Sequence, residues 1–252
     1  MNKLKQNYYG SLCTEMYEIL HEKAPQDELD FYLSYANQGD KILEALCGSG
    51  RFLVPFMNRG FNISGIDLSS EMLTKLKQKA PTAKLIQADI LEYSSQEKYD
   101  YIFISSGSVS LFTNIEVCLK ILEKLKRMLT HNGKLVFAVD TVANKLANDD
   151  DYKVTVSVKT KEGFELILKS KNYYDEESQT QFSPGIYELY NDRKELLQRE
   201  NMDFQTHLYK LGEMEQYLKE MGFTNVKTYS SFSKVIAVSE ECEMFLFECS
   251  IF

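Results

Sequence analysis

Glu44, Gly48, Gly50, Asp67 and Asp89 are the residues whose types and spacing could do chemistry in this chain. Glu44 ends an apolar run, and the two glycines follow with one residue between them. Glycine adopts backbone conformations closed to other residues, so such a turn lets N–H groups come close to a ligand. A helix starting just behind it adds positive potential at its N-terminus. Turns of this kind often receive a pyrophosphate, but the third glycine of G-x-G-x-x-G is Leu53 here. A carboxylate beside the ligand repels phosphate and attracts an amine. Asp67 lies 17 residues after Gly50, near the spacing of about 20 expected for an acid that accepts two hydrogen bonds from a ribose diol.

The elements that must carry these residues alternate. Residues 41–46 read as a strand and 51–59 as the helix behind the glycine turn. A second strand over 61–66 ends at Asp67, which could also cap a helix over 69–79. A third strand over 84–88 ends at Asp89-Ile90. Residues 99–106 are almost continuously apolar, as in a central parallel strand buried on both faces. Its end, Ser105 to Ser108, lies where open α/β sheets bind ligands. An amphipathic helix over 115–129 leads through a turn at His131-Asn132-Gly133-Lys134 into a fifth strand over 135–139. Met214, Tyr217, Leu218 and Met221 form a later helix face stopped by Gly222. Strands over 223–229 and 243–252 close the chain.

The pattern Glu44-x-x-x-Gly48-x-Gly50 resembles motif I of the class I S-adenosylmethionine-dependent methyltransferases. Asp67, Asp89-Ile90 and the final helix, Gly-Phe and two strands are similar to the same family. The resemblance covers 36–140 well and 208–252 more weakly. It departs at Leu46, where the family usually has a further glycine, and at Asn132-Gly133, where it has proline and glycines. The resemblance implies an α/β, Rossmann-like seven-stranded sheet with helices on both faces, and S-adenosylmethionine as cofactor. It implies a cofactor-binding set of Glu44, Leu46, Cys47, Gly48, Gly50, Arg51, Asp67, Leu68, Met72, Asp89, Ile90 and Ser105. In it the acid of motif I faces the methionine end, Asp67 the ribose, and Asp89 with Ile90 the adenine.

Between the two matching parts the texture changes. Residues 141–207 alternate in β fashion without long helices, which predicts an antiparallel insert facing the substrate or pairing two copies in a homodimer. Asn148 to Asp151 lacks calcium-loop spacing. Leu12, Met16, Ile19 and Leu20 recur at helical spacing, with Tyr17 beside them. That predicts an N-terminal helical lid on a core of residues 1–140 and 208–252. Tyr8, Tyr9 and Tyr17 would offer aromatic faces to a cation. The implied reaction is an in-line displacement onto a small-molecule acceptor. Tyr8, Tyr17 and His207 are the side chains singled out for a catalytic role, with Tyr187, Tyr190 and Tyr209 as further acceptor-side groups.

Composition narrows the rest. A net charge of −8 over 252 residues, without a long basic run, disfavours nucleic acid. Five cysteines lack C-x-x-C spacing and three histidines are scattered, so no disulfide framework or metal site is indicated. No stretch has membrane-span length, and a reducing cytoplasm is expected. Two other functions stay open: a nicotinamide-dependent oxidoreductase, against which Leu53 and Glu44 speak, and a non-catalytic S-adenosylmethionine-binding module.

Overall fold

The computed structural model describes residues 6–251. In chain order, α1 (Ser11–Leu20) and α2 (Gln26–Leu33) precede β1 (Lys41–Ala45), α3 (Leu53–Asn58), β2 (Asn62–Asp67), α4 (Ser70–Lys79) and β3 (Lys84–Gln87). Then come β4 (Tyr99–Ile104), α5 (Ile115–Arg127) and β5 (Leu129–Asp140). Seven short strands follow: β6 (Lys153–Lys159), β7 (Glu165–Ser170), β8 (Tyr173–Asp175), β9 (Thr180–Phe182), β10 (Gly185–Tyr190), β11 (Leu196–Met202) and β12 (Gln205–His207). The chain ends with α6 (Glu213–Glu220), β13 (Thr224–Tyr229) and β14 (Met244–Ser250).

Seven strands form one sheet in the order β13-β14-β5-β4-β1-β2-β3. Six of them run in one direction, while β14 runs antiparallel to both its neighbours, β5 and β13. Strand β4 shows why its sequence is continuously apolar. Tyr101 and Phe103 enter one hydrophobic cluster and Ile102 and Ile104 the other, so each sheet face is covered. Leu122 and Leu125 of α5 pack on one face and Phe56 of α3 on the other. Each such fully buried side chain contributes about 1.5–3 kcal/mol. Helix α3 carries Pro55 in its first turn, where backbone N–H groups have no helical acceptor in any case.

Three expectations need correction. The turn over 131–134 is instead part of β5, because Leu129 pairs with Tyr99 while Lys134 pairs with Tyr101, leaving residues 130–133 as a wide bulge. Gly133 suits that bulge, since a Cβ there would lie 2.9 Å from the Tyr99 carbonyl oxygen. Strand β4 ends at Ile104, two residues early, and Ser106 turns away with φ +55°. The insert is two sheets, β11-β10-β7-β6 and β12-β9-β8. Pro184 stands between β9 and β10, where a residue without an N–H cannot continue a ladder. Helix α2 was not anticipated. Residues 1–5 of the expected lid and Phe252 of the expected last strand lie outside the described residues.

Helix α1 packs on the insert through Leu12, Cys13 and Met16 against Leu166, Tyr187 and Met202. It has no side-chain cap of its own, and Glu200 of β11 accepts from the Leu12 and Cys13 N–H groups at 3.1 Å each. A carboxylate there satisfies two orphan donors and complements the helix dipole. The N-terminal segment is thus fastened to the insert as well as to the sheet. Asn7 repeats the pattern, donating from its amide to the carbonyls of Leu111 and Gln205, both at 2.8 Å.

Candidate functional site

The site is built on the carboxyl edge of β1, β2 and β4. Past Glu44 and Ala45 the chain turns through Leu46 at φ +58°, Gly48 at φ +50° and Gly50 at φ +82°. Gly50 is dictated by packing as well, since a Cβ there would lie 2.1 Å from Leu76 Cδ1 of α4. A Cβ on Gly48 would meet nothing nearer than Met72 Sδ at 4.0 Å, so its face of the turn is open. Leu46 holds a left-handed conformation that costs a branched residue roughly 1–2 kcal/mol relative to glycine. Strain of that size collects at ligand-facing turns.

Asp67 joins the turn to the next helix. One carboxylate oxygen accepts from Gly48 N–H at 2.8 Å and the other from Ser69 N–H at 2.8 Å. Ser69 in turn caps α4 by accepting from Met72 N–H at 3.1 Å, and donates its hydroxyl proton to the Tyr9 carbonyl at 2.7 Å. Burial raises the Asp67 carboxyl above its ordinary range, and the two N–H groups partly offset this.

Glu44 is 1% exposed. Its Oε1 accepts from Ser105 Oγ at 3.1 Å, and Oε2 has no partner. Burial drives its pKa well above the ordinary value, against the pull of Ser105, Arg51 and the nearby Leu53 N–H. Arg51 donates to Ser106 Oγ, lies 4.0 Å from Glu28 Oε2 and sits 5.8 Å above the Tyr17 ring. Its buried Nε has no partner either. Glu28, 3% exposed on α2, accepts from both the N–H and the hydroxyl of Ser106 at 2.8 and 3.0 Å. Among the described residues, the buried unpartnered side-chain atoms that carry charge are Glu44 Oε2 and Arg51 Nε. Buried polar groups are normally paired, so this acid and base, seven residues apart in the chain, stand out.

A cavity of about 630 Å³ opens over this edge, within the usual range for cofactor sites. Leu46, Gly48, Arg51, Asp67, Leu68, Met72 and Asp89 line it, as do Tyr8 and Tyr17 from the N-terminal segment. Other expected residues stand elsewhere. Glu44 and Ser105 are fully buried side by side at the strand tips. The Cys47 side chain belongs to the core, in space that glycine at 65 leaves free: a Cβ there would sit 2.6 Å from Cys47 Sγ. Gly50 is packed against α4, and Ile90 is buried in the core while Leu91 takes the place on the wall.

The structure does not bring His207 to the cavity. It is 2% exposed on β12, with ring nitrogens 3.1 Å from the Ser178 carbonyl and 3.3 Å from Glu213, so both are occupied. Tyr209 is buried beside it, and the Tyr190 hydroxyl donates to Glu188. The Tyr8 hydroxyl is engaged with Glu71 at 2.8 Å. Residues missed from the sequence are Glu28, Leu91, Asn7 and His21, whereas Ser106 lies in the strand end already expected at the ligand edge. A helical spacing of Leu29, Phe31 and Tyr32 around Glu28 was the one available sign that this acid turns inward.

Among the described residues no group of three or more His, Cys, Asp or Glu could hold a metal, and no helix is long and apolar enough to cross a membrane. Residues 42–133 match the model of a family described as a methyltransferase domain. A protein of Geobacillus sp. (strain WCH70) named as a putative methyltransferase is 25% identical over 92% of this chain and 95% of its own length. One of Bacillus subtilis (strain 168), similarly named, is 28% identical over 49% of the chain, and that match spans about half, 52%, of the relative. Among solved structures, an S-adenosylmethionine-dependent methyltransferase from Clostridium acetobutylicum superposes with a TM-score of 0.75 at 18% identity, over 94% of this chain and 96% of the other. A sugar N-methyltransferase from Streptoalloteichus sp. gives 0.70 at 15% identity, over 98% of both. Residues 42–133 thus carry a methyltransferase domain, and the chain as a whole has the fold of S-adenosylmethionine-dependent methyltransferases.

Proposed function

We propose that this chain transfers a methyl group from S-adenosylmethionine to the nitrogen of a small-molecule amine. The observation that supports the cofactor in this reading is the pair of unpartnered groups, Glu44 Oε2 and Arg51 Nε, beside the glycine turn. An α-amino acid end carries an ammonium for the first and a carboxylate for the second. Asp67, already holding the turn, keeps lone pairs for a ribose diol. Asp89 and Leu91 stand on the wall for the adenine, and Leu46, Leu68 and Met72 supply apolar contact.

When bound, the cofactor supplies a methyl carbon on a sulfonium, open to in-line displacement without further activation. The chain must therefore place a neutral lone pair about 3 Å from that carbon, and placement alone supplies much of the acceleration. Tyr8, Tyr9 and Tyr17 line the cavity, where their rings would help exclude water from a bound cofactor. The sugar N-methyltransferase likeness supports nitrogen as the accepting atom. We further read residues 1–36 as a cover and 141–207 as the acceptor-facing insert. Five free thiols suit a reducing cytoplasm. Exposed Val154, Leu196 and Leu197 on the edge strands β6 and β11 suit contact between two copies, which light scattering would test.

The decisive experiment is transfer of a labelled methyl group from S-adenosylmethionine into a library of small amines, beside titrations with S-adenosylhomocysteine and NADH. Labelled amine product is expected. Homocysteine-product binding without any transfer would favour a non-catalytic module, and binding of NADH alone would favour an oxidoreductase.

A further inference from the structure

A second cavity of about 230 Å³ lies between α1 and the four-stranded sheet of the insert. Met16, Val156, Leu168, Tyr187, Met202 and Phe204 dominate its wall. Tyr9, Tyr17 and His21 line it and the larger cavity alike, so these three rings are a shared partition. His21 closes α1 and packs on Tyr17 with ring centres 4.8 Å apart. Among the described residues neither of its ring nitrogens has a hydrogen-bond or ion-pair partner, in contrast to His207, whose two nitrogens are both held.

We propose that the second cavity receives the apolar body of the acceptor, and that His21 takes the proton from the acceptor's amine at the partition. The proposal rests on reading the larger cavity as the cofactor site. It names a substrate class: a primary or secondary amine on a compact ring or branched hydrocarbon. A polyhydroxylated sugar would lose hydrogen bonds to water there and find few replacements, since Ser170, Ser183 and Tyr187 offer the main hydroxyls.

The environment of His21 suits the task. Partial burial lowers its pKa, and the Arg51 cation lowers it further, which favours the neutral ring. On its own helix Tyr17 faces it, and Glu18 is committed to Lys79 at 2.7 Å. Glu28 of α2 is engaged with Ser106 and Arg51, and the insert side of the cavity presents no charged side chain. The acceptor's ammonium passes one proton to an unprotonated ring nitrogen, leaving a neutral amine. Its lone pair forms the new N–C bond as the S–C bond breaks. The bonding pair goes to sulfur, and the positive charge passes to the product ammonium. The ring then returns its proton to solvent.

The test is histidine-edited NMR of the whole protein saturated with S-adenosylhomocysteine, with benzylamine, cyclohexylmethylamine and glucosamine as probes. The two apolar amines should shift the His21 ring signals and leave those of His131 and His207 in place, while glucosamine should not. Leu168→Trp, or Val156→Phe if the first variant fails to fold, should fill the cavity, abolish the shift and leave S-adenosylhomocysteine affinity within twofold. For any amine that turns over, His21→Gln should lower kcat by about 10²–10⁴-fold and remove the acidic limb of the pH–rate profile. No shift of His21 by the apolar amines, an equal shift by glucosamine, a shift that survives the filled cavity, or full turnover in His21→Gln would overturn the proposal. Failure of S-adenosylhomocysteine to bind at all would instead sink the cofactor reading beneath it.

Discussion

The acids at the carboxyl edge of the central sheet and those of the insert are treated in opposite ways. Burial raises the carboxyls of Glu28, Glu44 and Asp67 and pushes Asp140 up to about 7. In the insert, Asp149, Glu165, Asp175 and Glu188 are lowered, by Lys153, Lys194, Ser178 and Lys169 respectively. Glu188 is the clearest contrast with Glu44. Both are nearly inaccessible, yet Glu188 has Lys169 at 2.7 Å, Arg199 at 3.6 Å and the Tyr190 hydroxyl at 2.8 Å. The insert satisfies its charges and keeps them for structure. The sheet edge leaves one oxygen of Glu44 without a partner, and burial without a partner is worth its cost only where something else supplies the partner.

The contrast predicts opposite responses to pH. A raised carboxyl binds more protons folded than unfolded, so its contribution falls as pH rises from about 4 through its folded value. For Asp140, moved from 3.8 to about 7, the loss amounts to roughly 4 kcal/mol. The lowered acids of the insert contribute above their unfolded values and lose that contribution only below about pH 4. Between pH 5 and 7.5, hydrogen-exchange protection at the tips of β1 and β5 should decline while β7 and β10 hold steady. Between pH 5 and 3.5 the order should reverse, and Asp140→Asn should remove the larger part of the first decline.

Substitutions sharpen the same division. Glu44→Gln should weaken S-adenosylhomocysteine binding about 10–100-fold, as expected for a lost charge-assisted bond, with little change in melting temperature. Asp67→Ala removes the acceptor of two backbone N–H groups, at about 0.5–1.5 kcal/mol each, so affinity and stability should fall together. Glu188→Gln should cost about 1 kcal/mol of stability and leave affinity unchanged, which calorimetry on both variants would check. The smallest effect belongs to Leu46→Gly. Relief of the left-handed strain and the added freedom of the unfolded chain nearly cancel, leaving a change within about 1 kcal/mol.

What the sequence disclosed was local. Glu44, Gly48, Gly50 and Asp67 were legible because a strand, a turn and a helix fix them within about two dozen residues, and backbone geometry decides the spacing. The same holds for β4, whose apolar run announces burial on both faces. His21, Glu28 and the second cavity were not legible. His21 and the cavity arise where α1 meets strands more than 130 residues later, a pairing fixed by Glu200 on the Leu12 and Cys13 N–H groups, and Glu28 is set by Ser106, 78 residues on, rather than by any local pattern. His207 misled because a lone histidine gives no sign that Ser178 and Glu213 will occupy both its nitrogens. The Asn132-Gly133 pair misled because glycine serves a tight bulge as readily as a turn.

The central claim is that the unpartnered charges of Glu44 and Arg51 are completed by a zwitterionic amino acid end. The most direct test is calorimetric titration with S-adenosylhomocysteine and with 5′-methylthioadenosine, which keeps the nucleoside and lacks that end. The account predicts that S-adenosylhomocysteine binds at least 100-fold more tightly to the native chain and that Glu44→Gln narrows the gap by about tenfold or more. Equal affinity for the two ligands, or a gap untouched by Glu44→Gln, would contradict it.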